Sequence, residues 1–292
     1  METFIVECHR QVNEQLEVII PSEEGSGQRL YSAIRYSIFN GGKRIRPLLC
    51  YGGATAVAEP DENTIKLAAA LEMMHTYSLI HDDLPAMDDD NLRRGKPSCH
   101  IEYDEGTAIL AGDALQSLAI KQLTELSEMD SGRNLELLRL LIRGSGVEGM
   151  VTGQAIDLAS AGKDIDLPQL VEMHRLKTAA MIESSVLMGA IGTGKASDTQ
   201  IESLKSFSTA IGVAFQIQDD ILDVESSTEN MGKKQGSDEN GEKSTFTSVL
   251  GLEAAQNNVQ ELYEDSIKSL ENFGESADKL RNIANFIVTR NF

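Results

Sequence analysis

Residues 63–91 read NTIKLAAALEMMHTYSLIHDDLPAMDDDN, and the spacing inside this stretch decides the fold class. Leu67, Leu71, Met74, Ser78 and Asp82 step by three or four, which puts them on one face of a helix over 63–83. That face ends in Asp82 and Asp83. Pro85 cannot continue a helix, because it lacks an N–H and its ring collides with the preceding turn. Asp82 and Asp88 are six apart, about 240° round a regular helix at about 100° per residue, so they would diverge if the helix ran on. Unwinding at Pro85 can fold Asp88 back towards Asp82, giving a carboxylate claw at a helix end. A second acidic set, Asp219, Asp220 and Asp223 in QIQDDILD, also closes an apolar helical run. There Asp219 and Asp223 are four apart and share a face with Phe215. Carboxylates crowded in this way repel one another and resist ionisation unless a cation joins them, and all-oxygen sets suit a hard cation such as magnesium. One such cluster is ordinarily a solvated helix end; two of the same design point to metal.

Outward from these stretches, helical periodicity fills the chain. Helices are predicted over 2–20, 28–39, 44–57, 63–83, 106–127, 134–159, 167–190, 198–225, 245–271 and 275–290, with turn residues falling between them and strand patterns scarce. Hydrophobic residues make up 41% but aromatics only 5%, with ten Met and no Trp, so the core is built from small aliphatic side chains that favour packed helices. An all-α fold in one domain over 1–292 is expected. The longest connection, 225–244, is polar and follows the second acidic set directly; it reads equally as a mobile flap or as a plain surface loop.

Composition excludes several classes of function. A formal net charge of −20 repels nucleic-acid phosphates and anionic membranes. The longest uncharged run, Ser206 to Gln218, falls short of the roughly 20 residues a membrane span needs. Cys8, Cys50 and Cys99 are odd in number and lack paired spacing, which argues against a disulfide framework or thiolate zinc site and fits a reducing cytoplasm. An anionic substrate would need metal or local basic groups. Those groups exist: Lys43, Arg44 and Arg46 in NGGKRIRP open a helix whose first amides favour anions, Arg93 and Arg94 follow the first acidic set, Lys177 and Thr178 lie in HRLKTAA, and Lys233 and Lys243 lie in 225–244. Guanidinium groups grip phosphate oxygens in pairs, and lysine supplies a point charge. Each alone is ordinarily a solvated charge. Beside two acidic sets they suggest two diphosphates, one held through metal and one directly.

In order along the chain, GGKRIRPLL, LIHDDLPAMDDDNLRRGKPSCH, GTAILAGDAL, GQAIDL, HRLKTAAMI, FQIQDDILD and GKKQGSDENGEKSTF closely resemble the class I short-chain trans-polyprenyl diphosphate synthases, most of all the bacterial-type farnesyl diphosphate synthases. The resemblance implies a single large helical bundle around a deep central cavity, a homodimer, and a cytoplasmic enzyme without membrane insertion. It implies magnesium, three ions per site, carried by Asp82, Asp83, Asp88, Asp219, Asp220 and Asp223 around an allylic diphosphate, with Lys177, Lys233 and Arg93 as further ligands of that group and Lys243 nearby. Isopentenyl diphosphate would bind without metal at Lys43, Arg46, His75 and Arg94. Thr178 and Gln216 match positions whose oxygens stabilise an allylic cation, and the released pyrophosphate would take the proton.

Product length follows from pocket depth. Tyr77 and Ser78 match the positions associated with chain-length control, with Met74 and Leu71 beneath. Tyr77 lies about 7.5 Å of helix rise before Asp82, at about 1.5 Å per residue, and its ring could floor a tunnel. A fifteen-carbon product is expected. A geranylgeranyl diphosphate synthase of the same family stands as the alternative, and a class I terpene cyclase is disfavoured because its second metal motif differs from QDDILD. The final TRNF departs from the basic ending of many relatives, with Arg290 able to substitute for it.

Overall fold

A computed structural model describes residues 2–230 and 244–290, with side chains from 226 to 230 excepted. Helices dominate: α1 Glu2–Ile19, α2 Gln28–Ile38, α3 Ile45–Val57, α4 Glu62–Asp82, α5 Cys99–Glu102, α6 Glu105–Thr124, α7 Ser131–Ser145, α8 Met150–Ser160, α9 Leu167–His174, α10 Ala180–Gly192, α11 Asp198–Asn230, α12 Phe246–Leu250, α13 Leu252–Ser269 and α14 Asp278–Thr289. A π-helical segment, Arg175–Ala179, joins α9 to α10. The strands among the described residues are β1 Leu92–Arg93 and β2 Lys96–Pro97, an antiparallel hairpin closed by Arg94 and Gly95, both left-handed. The all-α expectation holds.

The chain groups into two compact units, residues 1–139 with 188–195, and residues 140–187 with 196–292. In the first, α4 packs against α6, α3 and α1. An alanine-rich sequence makes α4 a strong helix, and Asp61 starts it: the Thr64 N–H donates to Asp61 Oδ1 at 2.9 Å while the Asp61 N–H donates to Thr64 Oγ1 at 3.2 Å. Leu67, Leu71 and Met73 are fully buried, each contributing about 2 kcal/mol through removal from water. In the second unit α11 packs on α13 and α14, and Leu170, Met173, Ile217, Ile221, Phe246 and Val259 form a core.

Helix boundaries depart from expectation where several glycines or one left-handed residue intervene. The predicted helix 134–159 is two helices, α7 and α8, broken within GSGVEG, where the weak helix propensity of glycine lets the chain turn. The predicted 245–271 divides at Gly251, which has φ 83°. The helix predicted to stop at 225 runs on to Asn230, so the first residues assigned to the flap are helical; residues 231–243, with Lys233 and Lys243, lie outside the described residues.

Candidate active site

Within the first unit, α4 stops at Asp82 and the main chain doubles back. The Asp88 N–H donates to the Asp82 carbonyl at 2.9 Å, the Asp90 N–H to the Asp83 carbonyl at 3.2 Å, and Asp89 is left-handed with φ 54°. Pro85 sits in this bend, as the sequence predicts. Asp82 and Asp88 are half-buried, but Asp83 is only 2% exposed. Its carboxylate accepts from Arg93 Nε at 3.0 Å and pairs with Arg93 Nη2, and Arg93 also reaches Asp90 at 3.4 Å. Burial raises Asp83 above the usual carboxylate range, and Arg93 offsets only part of that.

One to two turns earlier on α4 lies a basic pocket. Arg44 occupies the left-handed region, with φ 50° and ψ 39°, as the cap of α3. Its guanidinium is buried and points inward, donating to Glu72 Oε1 at 2.5 Å, to the Ile38 carbonyl at 2.6 Å and to Asn13 Oδ1 at 3.2 Å. Arg44 is therefore an anchor, while Lys43 is exposed and Arg46 is half-buried. On the other side of the loop the Arg94 guanidinium donates to the Gly41 carbonyl and lies on Gly42, where a Cβ would collide with it; Gly42 has φ 115°, which disfavours any L side chain. Arg46 Nε and His75 Nδ1 are enclosed and have no hydrogen-bond partner among the described residues, although both residues keep some exposed surface. Burial of its guanidinium pulls Arg46 down to about 10, with Glu72 opposing and Arg94 reinforcing. His75 is held well below its ordinary value by burial and then by Arg46 and Arg94, so it is a neutral imidazole at pH 7. Crowded cations with unpaired, enclosed nitrogens make a receptor for an oxyanion.

In the second unit, Asp219 and Asp223 stay on one face of an unbroken α11. Asp219 Oδ1 accepts from Arg290 Nη2 at 2.6 Å, and the Arg290 guanidinium stacks 4.1 Å from the centre of the Phe215 ring. Asp220 is buried: it accepts from the Phe246 N–H at 2.7 Å and from Gln216 Nε2 at 3.3 Å, and burial raises its pKa. Thr178 Oγ1 donates to Gln216 Oε1 at 3.2 Å, which ties the π-helical segment to the acidic set. Lys177 in the same segment pairs with Asp157 Oδ2 at 2.6 Å. That segment lies so close to α8 that a Cβ on Gly153 would strike the Lys177 backbone. A local π-helix costs helical regularity and commonly marks a functional site.

Each three-carboxylate set expected from the sequence is thus divided. Asp83 and Asp220 are sequestered by protein donors, which leaves Asp82 with Asp88 and Asp219 with Asp223 nearer the solvent. Among the described residues no three His, Cys, Asp or Glu side chains gather closely enough to hold a metal unaided. Magnesium is ordinarily held by one or two carboxylates with waters and substrate phosphates, so these oxygen-donor pairs fit it by type. Of the residues assigned to chain length, Tyr77 is buried with its ring edge-on to His81 at 5.8 Å, and its hydroxyl is pushed up to about 12 by burial and the Asp82 charge. Met74 is buried, and the Ser78 hydroxyl turns back to donate to the His75 carbonyl at 2.8 Å.

The polyprenyl synthetase family model matches residues 27–285, which span the acidic bend, the basic pocket and α11. The chain belongs to the polyprenyl synthetase family. It is 43% identical over 281 residues to farnesyl diphosphate synthase of Haemophilus influenzae, covering 96% of this chain and 95% of that one. It is 40% identical over 294 residues to the large subunit 2 of a heterodimeric geranylgeranyl pyrophosphate synthase of Arabidopsis thaliana, covering 99% and 77%. A solved geranyltransferase from Helicobacter pylori, complexed with magnesium and isoprenyl diphosphate, superposes with a TM-score of 0.82 at 31% identity, covering 97% of this chain and 96% of that one.

Within this member of the polyprenyl synthetase family, Glu72 and Asp157 make ion pairs, with Arg44 and Lys177, that sequence reasoning missed. Asp157 sits in the motif GQAIDL, but its pairing with Lys177 joins positions 20 apart on separate helices, and no local spacing betrays it. Glu72 left a fainter signal, as the one acid in the run LAAALEMM.

Proposed function

We propose that this chain is one magnesium-dependent prenyltransferase domain that condenses isopentenyl diphosphate head to tail with dimethylallyl and geranyl diphosphates, giving farnesyl diphosphate and pyrophosphate. The observation that carries the reading lies on one helix: α4 ends in the Asp82–Asp88 bend and, one to two turns earlier, borders the pocket of Arg46, His75 and Arg94. Lys43, Arg46 and Arg94 hold the isopentenyl diphosphate without metal, and neutral His75 gives it a hydrogen-bond partner that does not add to the cationic repulsion. Arg93, Lys177 and, in the segment outside the described residues, Lys233 and Lys243 bind the allylic diphosphate; Asp82, Asp83 and Asp88 with Asp219, Asp220 and Asp223 form its metal-binding sets, the buried Asp83 and Asp220 acting by bracing their neighbours. Magnesium bound there, three ions per site, supplies neutralisation of the departing diphosphate. Thr178 and Gln216 turn oxygen dipoles towards the allylic carbon, and apolar walls exclude water that would otherwise intercept it.

Tyr77, with Met74 and Ser78, floors the tunnel and stops growth at fifteen carbons. The likeness to a geranylgeranyl synthase subunit keeps a twenty-carbon product as the second reading. Assembly as a homodimer in the cytoplasm completes the proposal; Ile109, Leu110 and Ile120 on α6 are apolar and exposed. Among the described residues no helix is long and apolar enough to cross a membrane.

Purified protein incubated with magnesium, isopentenyl diphosphate and each allylic starter is expected to release mainly the fifteen-carbon diphosphate. Absence of any elongated product would overturn the activity. Tyr77→Ala is expected to shift the main product by at least one isoprene unit, and an unchanged product distribution would remove Tyr77 as the floor.

A further inference from the structure

Glu72 is 1% exposed on α4 and lies among the arginines of the basic cluster. Oε1 takes Arg44 at 2.5 Å, while Oε2 is buried with no hydrogen-bond partner among the described residues. Its charge also acts on Arg46 and Arg94, supporting the protonated form of each against burial. His75, three residues later and on the same face of α4, carries the enclosed, unpartnered Nδ1. A single carboxylate therefore stands behind Arg44, Arg46 and Arg94, and it is bonded to the one that points away from solvent. Arg44 matters because its backbone is left-handed, a conformation that a bulky residue adopts only when its surroundings hold it there. The hold is the side chain itself, bonded to Glu72, Asn13 and the Ile38 carbonyl. Release of Arg44 would let the turn relax and carry Lys43 and Arg46 away from Arg94 and His75.

We propose that Glu72 is a positioning residue for the isopentenyl diphosphate pocket: it does not touch the substrate, but by clamping Arg44 it fixes the left-handed turn that presents Lys43 and Arg46. This inference rests on the reading that the basic pocket takes isopentenyl diphosphate. It separates Glu72 from an ordinary buried ion pair, whose removal would loosen the whole unit and affect both substrates alike.

The test compares Glu72→Ala, Glu72→Gln and the double variant Arg44→Met/Glu72→Met with the wild-type chain, measuring KM for each substrate, kcat and metal-free binding of inorganic pyrophosphate by calorimetry. Glu72→Ala is expected to raise KM for isopentenyl diphosphate by about tenfold or more, with kcat and the allylic KM within about threefold, the signature of lost binding at one subsite. Glu72→Gln, which keeps an acceptor for Arg44, is expected to recover most of that loss. The double variant removes both charges of the buried Arg44–Glu72 pair together and is expected to fold, yet to keep the raised KM, because the turn is no longer clamped. If Glu72→Ala does not fold, the other two variants carry the test. A double variant with wild-type KM, a Gln variant as impaired as a folded Ala variant, or equal rises in both KM values would each overturn the proposal. Wild-type condensation with an unaffected isopentenyl KM in the variants sinks the role of Glu72 alone. Glu72-dependent pyrophosphate binding by a chain that forms no prenyl product would sink the activity and leave the clamp standing.

Discussion

The two acidic ends reach similar arrangements of carboxylates by different backbone routes. In the first unit Asp82 and Asp88 are brought together by breaking a helix at Pro85, and the bend is held by main-chain hydrogen bonds. In the second, Asp219 and Asp223 need no bend, because four residues of continuous α11 already align them. Each end also buries its middle carboxylate, with unlike partners. Asp83 is met by the permanent charge of Arg93, while Asp220 is met by the neutral Phe246 N–H and the Gln216 amide. A broken helix needs a strong tie to hold its shape, and a continuous one can be braced by dipoles.

Outer carboxylates are the hardest test of this shared plan. Asp82→Ala and Asp219→Ala are each expected to lower kcat/KM by about 10³-fold or more, in line with loss of an electrostatic group that acts on developing charge. Circular dichroism should show an intact helical fold in both. Asp219→Ala should also lose some thermal stability, because it strips the buried Arg290 guanidinium of its carboxylate. Near-normal turnover in either variant would break the equivalence of the two ends.

A second difference lies in what supports each middle carboxylate. The His174 ring packs at 5.4 Å on the ring of Phe246, the residue whose backbone N–H donates to Asp220. Burial, followed by the charge of Lys177, lowers His174 from 6.5 to about 4, so the folded state resists protonation that the unfolded chain accepts. Between pH 6.5 and about 4 the unfolded state binds more protons, and stability therefore falls as the pH falls. The shift corresponds to at most about 3 kcal/mol. Thermal midpoints of the wild type and His174→Gln, followed from pH 7 to 4, should show the wild type losing stability more steeply. Parallel curves would remove His174 as the pH-sensitive prop of the second end. Arg93 has no comparable titration in this range, and the raised pKa of Asp83 acts in the opposite sense, favouring the folded state as the pH falls, so the first end should not add to this loss.

Much of this was legible in the sequence because it is local. The face from Leu67 to Asp82, the break at Pro85 and the four-residue spacing of Asp219 and Asp223 are periodicities of one helix, and all hold in the structure. The basic groups could be located, but not sorted: Arg44 looked like Arg46 until its left-handed backbone turned its guanidinium towards Glu72. Asp83 and Asp220 were likewise indistinguishable from their neighbours, since burial depends on what packs against a helix end and not on its own sequence. The breaks at GSGVEG and Gly251 were underread because an apolar pattern resumes in phase on each side. The hairpin at Arg94–Gly95 escaped because two-residue strands carry no alternation to detect.

The smallest expected effect separates the two middle carboxylates most cleanly. Asp83→Asn removes the charge that meets Arg93, whose side chain is 32% exposed, so water takes up part of the loss and the cost is about 1 kcal/mol. Asp220→Asn should cost less than about 0.5 kcal/mol, since the amide oxygen still accepts from the Phe246 N–H and the penalty for burying a charge disappears. An amide flip at Gln216 lets it meet the new side chain. Asp220→Ala differs: it leaves the N–H of the buried Phe246 without an acceptor, at about 1–2 kcal/mol. Urea titrations of the three variants would rank them in the order Asp220→Asn, Asp83→Asn, Asp220→Ala by increasing loss. If Asp220→Asn proved as costly as Asp220→Ala, then charge and not the hydrogen bond would hold the second end, and the two ends would be braced alike.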